Sequence, residues 1–168
     1  MYLNRYTLSL FLLLSLQLGG QEPRNVILMI GDGMGLSQVS APYYYGEGEP
    51  SFSRFRHIGL MRTSPGNDPV TQSPAAATAL STGYKTYNYA IGVDMDTISR
   101  PNLVEILSEQ GLMTGIIATS DITDATPAGF YAHQPHRYLK YHIARDLLNS
   151  GVDFFAGGGI KYFVDSAG

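Results

Sequence analysis

The chain has 168 residues, a formal net charge of −3, 44% hydrophobic residues and 15% charged residues. This composition is typical of a globular protein, and without a basic surplus it argues against nucleic acid or anionic lipid as the main partner. Because the sequence contains no cysteine, disulfides and cysteine-linked lipid anchors are excluded, and the stability of the fold has to come from its core.

The N-terminus is typical of a secretory signal peptide. Arg5 precedes an apolar run at residues 8–18, and two glycines follow that run. The alternative is a membrane span, but a span takes about 20 apolar residues and this run is shorter. We therefore expect residues 1–20 to be removed, the mature chain to lack a membrane span, and the protein to be secreted or periplasmic.

From residue 25 onward, short apolar runs alternate with longer amphipathic stretches, which is the pattern of parallel strands joined by crossover helices. Strands are predicted at residues 26–30, 57–63, 113–118 and 152–156. Helices are predicted at about residues 36–45, 74–82, 101–110 and 137–149. The predicted fold class is α/β, with a doubly wound, mostly parallel sheet and helices on both faces. Residues 84–99 show no clear period and are predicted to be a surface segment without firm structure.

Asp32 follows the first predicted strand and stands between Gly31 and Gly33. Ligands of open α/β sheets bind beyond the carboxyl ends of the strands, so this carboxylate is placed where a site is expected. A carboxylate on a rigid strand end can hold Zn²⁺ or Mg²⁺ with little reorganisation. The alternative is a tight turn in which Asp32 only favours the start of the next helix.

Ser73 precedes Pro74 at the start of the predicted helix, in the N-cap position, and Gly83 marks the end of that helix. Unpaired backbone N–H groups and the helix dipole favour negative charge at this position. That environment suits both an ionised hydroxyl and a transferred phosphoryl group, so Ser73 is a candidate nucleophile. The alternative is that Ser73 only caps the helix.

A third group of polar residues follows the third predicted strand. Asp124 and Thr126, two residues apart on an extended backbone, would point to the same side and offer oxygen ligands to one cation. Arg137 would make a two-pronged contact with a phosphate group. The alternative is a capped helix near Pro127, with Arg137 in a solvated ion pair.

His133 and His136 are the histidines nearest to this group. Pro135 between them breaks the helix that would align them, and no cysteine or third histidine stands at ligand spacing. We therefore expect no zinc site on this pair.

Three segments together resemble one known family, namely residues 25–35 (NVILMIGDGMG), 70–83 (VTQSPAAATALSTG) and 124–137 (DATPAGFYAHQPHR). In this order and spacing, and followed by GGGIKY at residues 157–162, they are similar to the alkaline phosphatases. The resemblance extends from about residue 25 to residue 163. It implies a three-layer α/β/α fold, here incomplete, and phosphomonoesters as substrates.

The resemblance also implies the site residues and their cofactors, two Zn²⁺ ions and one Mg²⁺ ion. Ser73 would be the catalytic residue that becomes phosphorylated, and Arg137 would clamp the non-bridging phosphate oxygens. Asp32 would be a ligand shared between a Zn²⁺ and the Mg²⁺. Thr126 would be a Mg²⁺ ligand, with Asp124 beside that site. The complete enzyme would hydrolyse the phosphoserine in a second step and could form a homodimer.

This sequence departs from the family at three points. Gln72 stands where the family has an aspartate, and Pro74 replaces a small alanine. The family's chains are also more than twice as long, so residues 21–168 would be the N-terminal part of the catalytic domain, with further metal ligands beyond Gly168, and would be inactive alone. Two alternatives remain open: a related phosphodiesterase, phosphomutase or sulfatase, and a secreted phosphate-binding or inactive homologue.

Overall fold

The computed structural model describes residues 25–164, so the predicted signal peptide at residues 1–20 lies outside the described residues. The chain divides into two units, Met1–Gly31 and Asp32–Gly168. Among residues 25–164, no helix has both the length and the apolar character needed to cross a membrane.

In the first unit, residues 25–31 form neither a helix nor a strand. The side chains of Val26, Ile27 and Met29 are exposed, with relative accessibilities of 81%, 85% and 86%. The strand predicted at residues 26–30 is therefore wrong. An apolar run indicates a tendency to be buried, but a strand also requires a neighbouring backbone that pairs with it, and the run does not specify one.

The second unit contains five α-helices and two strands among its described residues. In chain order they are α1 (Leu36–Tyr45), α2 (Ser73–Thr82), α3 (Leu103–Glu109), β1 (Gly115–Asp121), α4 (Ala125–Ala128), α5 (Lys140–Asn149) and β2 (Phe154–Gly158). Short 3₁₀ helices lie at Ser51–Arg54 and Ile160–Tyr162.

The two strands pair in parallel, as the sequence predicted. Gly115 lies opposite Phe154 and Ile117 opposite Ala156, and the register shifts before Asp121. Helices α4 and α5 connect the strands, so the α/β class with a parallel sheet is confirmed. The strand predicted at residues 57–63 is wrong, because these residues have no strand pairing and Ile58 and Leu60 are exposed.

Local signals explain where the helices begin and end. At the end of α2, Gly83 adopts a left-handed backbone with φ of 77°, and its N–H donates to the carbonyl of Ala79. At the start of α3, Glu105 N donates to Asn102 Oδ1 at 3.1 Å, and Asn102 N donates to Glu105 Oε2 at 2.9 Å. This reciprocal pair is a capping box, and it places the start of α3 two residues after the predicted one.

The segment 84–99 is not the loose surface segment that the sequence predicted. Thr86, Ala90 and Ile91 are fully buried, and the backbone of Ile91 pairs with that of Gln134. The sequence did not predict this burial because the buried residues of the segment follow neither the helical nor the strand period. This segment therefore forms part of the core.

The main core cluster lies between β1, α4 and α5. Ile122, Tyr131, Ile143 and Leu147 are buried in it. The hydroxyl of Tyr131 donates to the carbonyl oxygen of Ile122 at 2.8 Å, so this buried polar group is satisfied. Burial raises the pKa of the Tyr131 phenol well above its ordinary value.

Candidate functional site

Asp32 lies where two hydroxyl groups meet. Ser73 Oγ donates to Asp32 Oδ1 at 2.9 Å, and Thr126 Oγ1 donates to Asp32 Oδ2 at 2.8 Å. Each carboxylate oxygen therefore accepts one hydrogen bond from a different helix. The structure thus brings together three of the predicted site residues, although they are widely separated in the sequence.

Close packing of α2 on α4 places the two hydroxyls near each other. Gly129, just after α4, approaches α2 so closely that an added Cβ would lie 2.7 Å from Ala77 Cβ. The Ser81 hydroxyl donates to the carbonyl of Gly129 across the same interface. A side chain at position 129 would push the helices apart, and the hydroxyls of Ser73 and Thr126 with them.

Ser73 is the first residue of α2, and Gln72 occupies the N-cap position that the sequence assigned to Ser73. The Ser73 hydroxyl does not cap the helix, since it donates to Asp32 instead. The alternative of a purely structural cap is therefore not supported. Pro74 fits the first turn because the N–H groups there have no partner within the helix.

Asp124, at the N-cap of α4, has the extended backbone that we assumed, but Thr126 lies within the helix, so that assumption is wrong for Thr126. As a result, the two side chains do not share a partner among the described residues. Thr126 faces Asp32, whereas Asp124 Oδ1 accepts a hydrogen bond from Lys140 Nζ at 2.6 Å. The helix near Pro127 that we considered as an alternative does exist, but its N-cap residue Asp124 makes no side-chain capping bond.

Asp124 is the centre of a second, charged cluster. Arg137 Nη2 lies 4.0 Å from Asp124 Oδ1, and Lys140 Nζ also donates to the carbonyl of Thr123 at 3.0 Å. Burial acts to raise the pKa of Asp124, but the hydrogen bond and charge of Lys140, with smaller effects of Ser120 and Arg137, bring this pKa below its ordinary value. Asp124 is therefore a carboxylate at neutral pH.

Sequence reasoning did not identify Lys140. The available signal was its position three residues after Arg137, where a helix starting near residue 137 would place two cations on neighbouring turns. The observed α5 begins only at Lys140. The two cations nevertheless meet at Asp124.

A short segment connects Arg137 to the start of α2. Asn88 Oδ1 accepts from Gln72 N at 2.9 Å, and the carbonyl of the next residue, Tyr89, accepts from Arg137 N at 2.8 Å. Gln72 Oε1 and Arg137 Nε are both buried, and no described residue forms a hydrogen bond with either atom. In the described part of the chain, Gln72 Oε1 therefore accepts no hydrogen bond from Arg137.

The two histidines have other partners. His133 Nδ1 lies 2.7 Å from the carbonyl of Gly92, and its Nε2 lies 2.9 Å from Glu105 Oε1. His136 stacks on Tyr89, with ring centroids 4.9 Å apart. Neither arrangement places the two imidazoles at one shared site.

The oxygen atoms around Asp32 fit part of a Mg²⁺ site. A carboxylate and a threonine hydroxyl are ligands that Mg²⁺ prefers, and no basic side chain of residues 25–164 pairs with Asp32. Within the same range, no three His, Cys, Asp or Glu side chains form a group that could hold a metal ion. The described residues therefore do not form a zinc site by themselves, since zinc sites use at least three protein ligands.

The chain is similar to known proteins over most of its length. A sequence profile described as alkaline phosphatase matches residues 23–167. This chain belongs to the alkaline phosphatase family. The alkaline phosphatase of Escherichia coli strain K12 is 36% identical over 179 residues, covering 89% of this chain and 38% of that protein. Alkaline phosphatase 3 of Bacillus subtilis strain 168 is 42% identical over 157 residues, covering 84% of this chain and 34% of that protein.

Solved structures of alkaline phosphatases share the fold. The enzyme from the Antarctic bacterium TAB5 superposes with a TM-score of 0.82 at 51% identity, covering 84% of this chain and 41% of that one. A TAB5 variant described with Mg bound in its M3 site gives a TM-score of 0.82 at 52% identity, with the same coverage. The chain thus spans about two fifths of the length of these relatives. The incomplete alkaline-phosphatase-like α/β fold is confirmed.

Proposed function

We propose that the complete protein hydrolyses phosphomonoesters through a covalent phosphoserine at Ser73. The observation that supports this best is the hydrogen bond from Ser73 Oγ to Asp32 Oδ1. It orients a hydroxyl at the N-terminus of α2, where the first backbone N–H groups favour negative charge. Family membership supplies the reaction class.

In the first step, Ser73 Oγ forms a bond to phosphorus while the bond from phosphorus to the alcohol oxygen breaks, and the proton lost by Ser73 Oγ ends on the leaving alcohol oxygen. The Ser73 proton points at Asp32 Oδ1, which leaves the lone pairs of Oγ free to face the phosphorus. In the second step, the oxygen of a water molecule forms a bond to phosphorus while the bond from phosphorus to Ser73 Oγ breaks. One water proton returns to Ser73 Oγ, and inorganic phosphate leaves.

Arg137 is the proposed clamp for the non-bridging phosphate oxygens. Its side chain is 25% exposed, and among residues 25–164 its one anionic partner is Asp124, 4.0 Å away. A guanidinium offers five N–H donors in a planar fork, which suits two phosphate oxygens at once. Lys140 is closer to Asp124 and so neutralises that carboxylate, which leaves Arg137 available for the substrate.

Two Zn²⁺ ions and one Mg²⁺ ion are the proposed cofactors, and they would supply Lewis-acid stabilisation of the alkoxide charges. Asp32 and Thr126 are the proposed ligands of the Mg²⁺, and Asp32 would also contact a Zn²⁺. Asp124 is proposed to act beside the Mg²⁺ site, because its Oδ1 already accepts a hydrogen bond from Lys140 Nζ.

We further propose that residues 1–20 are a signal peptide and that residues 21–168 are the N-terminal part of the catalytic domain. Secretion or a periplasmic location, and a homodimer of the complete protein, belong to the same proposal. Substrates are small phosphomonoesters, with no role for nucleic acid as the main partner.

The experiment is a substrate panel on the complete protein with Zn²⁺ and Mg²⁺ supplied. It compares 4-nitrophenyl phosphate with the corresponding sulfate and with a phosphodiester, in the wild type and in Ser73→Ala. Preference for the monoester that is lost in Ser73→Ala supports the proposal. Preference for the sulfate or the diester, or tight phosphate binding without turnover, would instead favour one of the two alternative functions.

A further inference from the structure

Three aromatic rings form a cluster on the residues that surround the backbone of Arg137. Tyr89 and His136 stack with centroids 4.9 Å apart and an interplanar angle of 8°. Tyr138 is tilted against both, at 5.0 Å from His136 and 6.3 Å from Tyr89. We refer to Tyr89, His136 and Tyr138 as the aromatic cluster.

Tyr89 and the residue before it, Asn88, connect the aromatic cluster to both parts of the proposed reaction centre. The carbonyl of Tyr89 accepts from the N–H of Arg137 at 2.8 Å, and His136 and Tyr138 flank Arg137 in the sequence. On the other side, Asn88 Oδ1 accepts from the N–H of Gln72, the residue before Ser73. Tyr89 and its neighbour Asn88 are therefore bonded to the backbone of Arg137 and to that of the residue before Ser73.

Part of this aromatic surface is accessible. Tyr138 is 69% exposed and Tyr89 is 37% exposed within the described chain. Buried aromatic rings serve the core, whereas an exposed set beside a polar site offers flat apolar faces to a ligand. The rings of Tyr89 and Tyr138 present apolar faces, which suit the apolar part of a substrate.

The backbone of Tyr89 has an unusual conformation. Its φ is 76°, in the left-handed region that residues other than glycine rarely adopt. Thr97, with φ of 63°, is the other described non-glycine residue with this property. Such conformations concentrate at functional sites, where the side chain is retained despite the strain. At position 89 the retained side chain is the ring that stacks on His136.

We propose that the aromatic cluster is a subsite for the aromatic leaving group of an aryl phosphate. This inference rests on the proposed function, because it takes Arg137 as the phosphate clamp. With phosphate on Arg137, an aryl group attached to it would lie within reach of the Tyr89 and Tyr138 rings. Stacking would then favour aryl over alkyl phosphomonoesters.

The test uses the complete protein and two pairs of probes. Phenyl phosphate and ethyl phosphate are the substrates, and phenylphosphonate and methylphosphonate are non-hydrolysed ligands for calorimetry. The variants are Tyr89→Gly, which suits the left-handed backbone, and Tyr138→Leu. Tyr141→Leu is the matched control, because Tyr141 is 62% exposed and packs on Tyr162 instead. Thr97→Gly is the control for relief of backbone strain, because Thr97 also has a positive φ and is not a member of the aromatic cluster.

For Tyr89→Gly and Tyr138→Leu we expect kcat/KM for phenyl phosphate to fall about threefold to tenfold relative to ethyl phosphate, mainly through KM. Phenylphosphonate should lose the same factor in affinity relative to methylphosphonate, and neither control should change these ratios. If kcat/KM and affinity fall equally for aryl and alkyl ligands while Ser73-dependent turnover is retained, the proposed subsite is overturned and the proposed function stands. Absence of Ser73-dependent turnover would overturn the proposed function, while the phosphonate ratio would still decide whether an aromatic subsite exists.

Discussion

The Ser73 hydroxyl donates a hydrogen bond to Asp32, and 2.9 Å separates Ser73 Oγ from Asp32 Oδ1 although the residues are 41 positions apart. The same carboxylate accepts a hydrogen bond from Thr126. One acidic side chain thus connects the candidate nucleophile at the start of α2 with the candidate Mg²⁺ ligand in α4.

Replacing Ser73 by alanine in the complete protein should abolish the covalent phosphoenzyme. Turnover should fall by about 10³-fold or more, because loss of the acceptor in covalent enzymes costs up to about 10⁶-fold. The measurement is acid-quench trapping of labelled phosphate, followed by peptide mapping. Ser108→Ala is the control, since that hydroxyl donates to Gly151 in another part of the fold. Labelled phosphate on any other residue would refute the assignment of Ser73.

Thr126→Val should weaken Mg²⁺ binding by about tenfold, because it removes an oxygen ligand while keeping the shape of the side chain. Calorimetric titration of the complete protein with Mg²⁺ measures the affinity directly. The matched control is Thr123→Val, three residues earlier, whose buried Oγ1 has no hydrogen-bond partner among the described residues. That control should leave Mg²⁺ affinity unchanged and be neutral or slightly stabilising. Equal Mg²⁺ affinities for Thr126→Val and the wild type would contradict the proposed ligand.

Gln72→Asp tests whether position 72 acts on phosphate through Arg137. Gln72 Oε1 and Arg137 Nε are both buried without a partner in the described chain. A carboxylate at position 72 should therefore attract the guanidinium and weaken the attraction of its positive charge for phosphate. The inhibition constant for inorganic phosphate and the rate of product release should change more than the chemical step. Gln110→Asp at the exposed end of α3 is the charge-matched control. An unchanged phosphate inhibition constant would show that positions 72 and 137 do not communicate.

Asp94 should stabilise the fold in a pH-dependent way. Its pKa is lowered, because the N–H of Ile98, the side chain of Arg100 and the N–H of Asp96 act against burial, which raises it. A carboxyl with a lowered folded pKa contributes stability above its unfolded pKa of about 3.9, and this contribution is lost as the pH falls through the folded pKa. Asp94→Asn should therefore destabilise the protein at neutral pH, and the difference from the wild type should shrink at lower pH.

Urea unfolding of Asp94→Asn and of the wild type at several pH values between neutrality and about pH 3 measures this difference. Asp96→Asn is the control, because that side chain is exposed and only its backbone N–H contacts Asp94. A difference that stays constant over this range would contradict the ionic origin of the effect.

Residues 21–168 alone should show no phosphatase activity in excess Zn²⁺ and Mg²⁺. Within residues 25–164, Asp32 and Thr126 supply only part of one site, and no three suitable side chains converge to hold a metal ion. The measurement is hydrolysis of 4-nitrophenyl phosphate by the purified segment, compared with the complete protein. Metal-dependent turnover that Ser73→Ala removes would show that the segment is sufficient.

The sequence by itself determined the features that depend on neighbouring residues. Gly83 ends α2 through its own backbone conformation, and Asn102 and Glu105 cap α3 across three positions. The segments at residues 25–35, 70–83 and 124–137 were together also sufficient to predict the family. These signals are local, because each depends on geometry within one or two turns of chain.

Only the tertiary structure decided which distant groups meet. Asp32 and Thr126 are separated by 94 positions, and their hydrogen bond depends on how closely α4 approaches α2. The partner of Asp124 was missed for the same reason, since Lys140 reaches it only through the packing of α5. The strand predicted at residues 26–30 was wrong because hydrophobicity specifies a tendency to be buried, whereas a strand also requires a pairing partner from elsewhere in the fold.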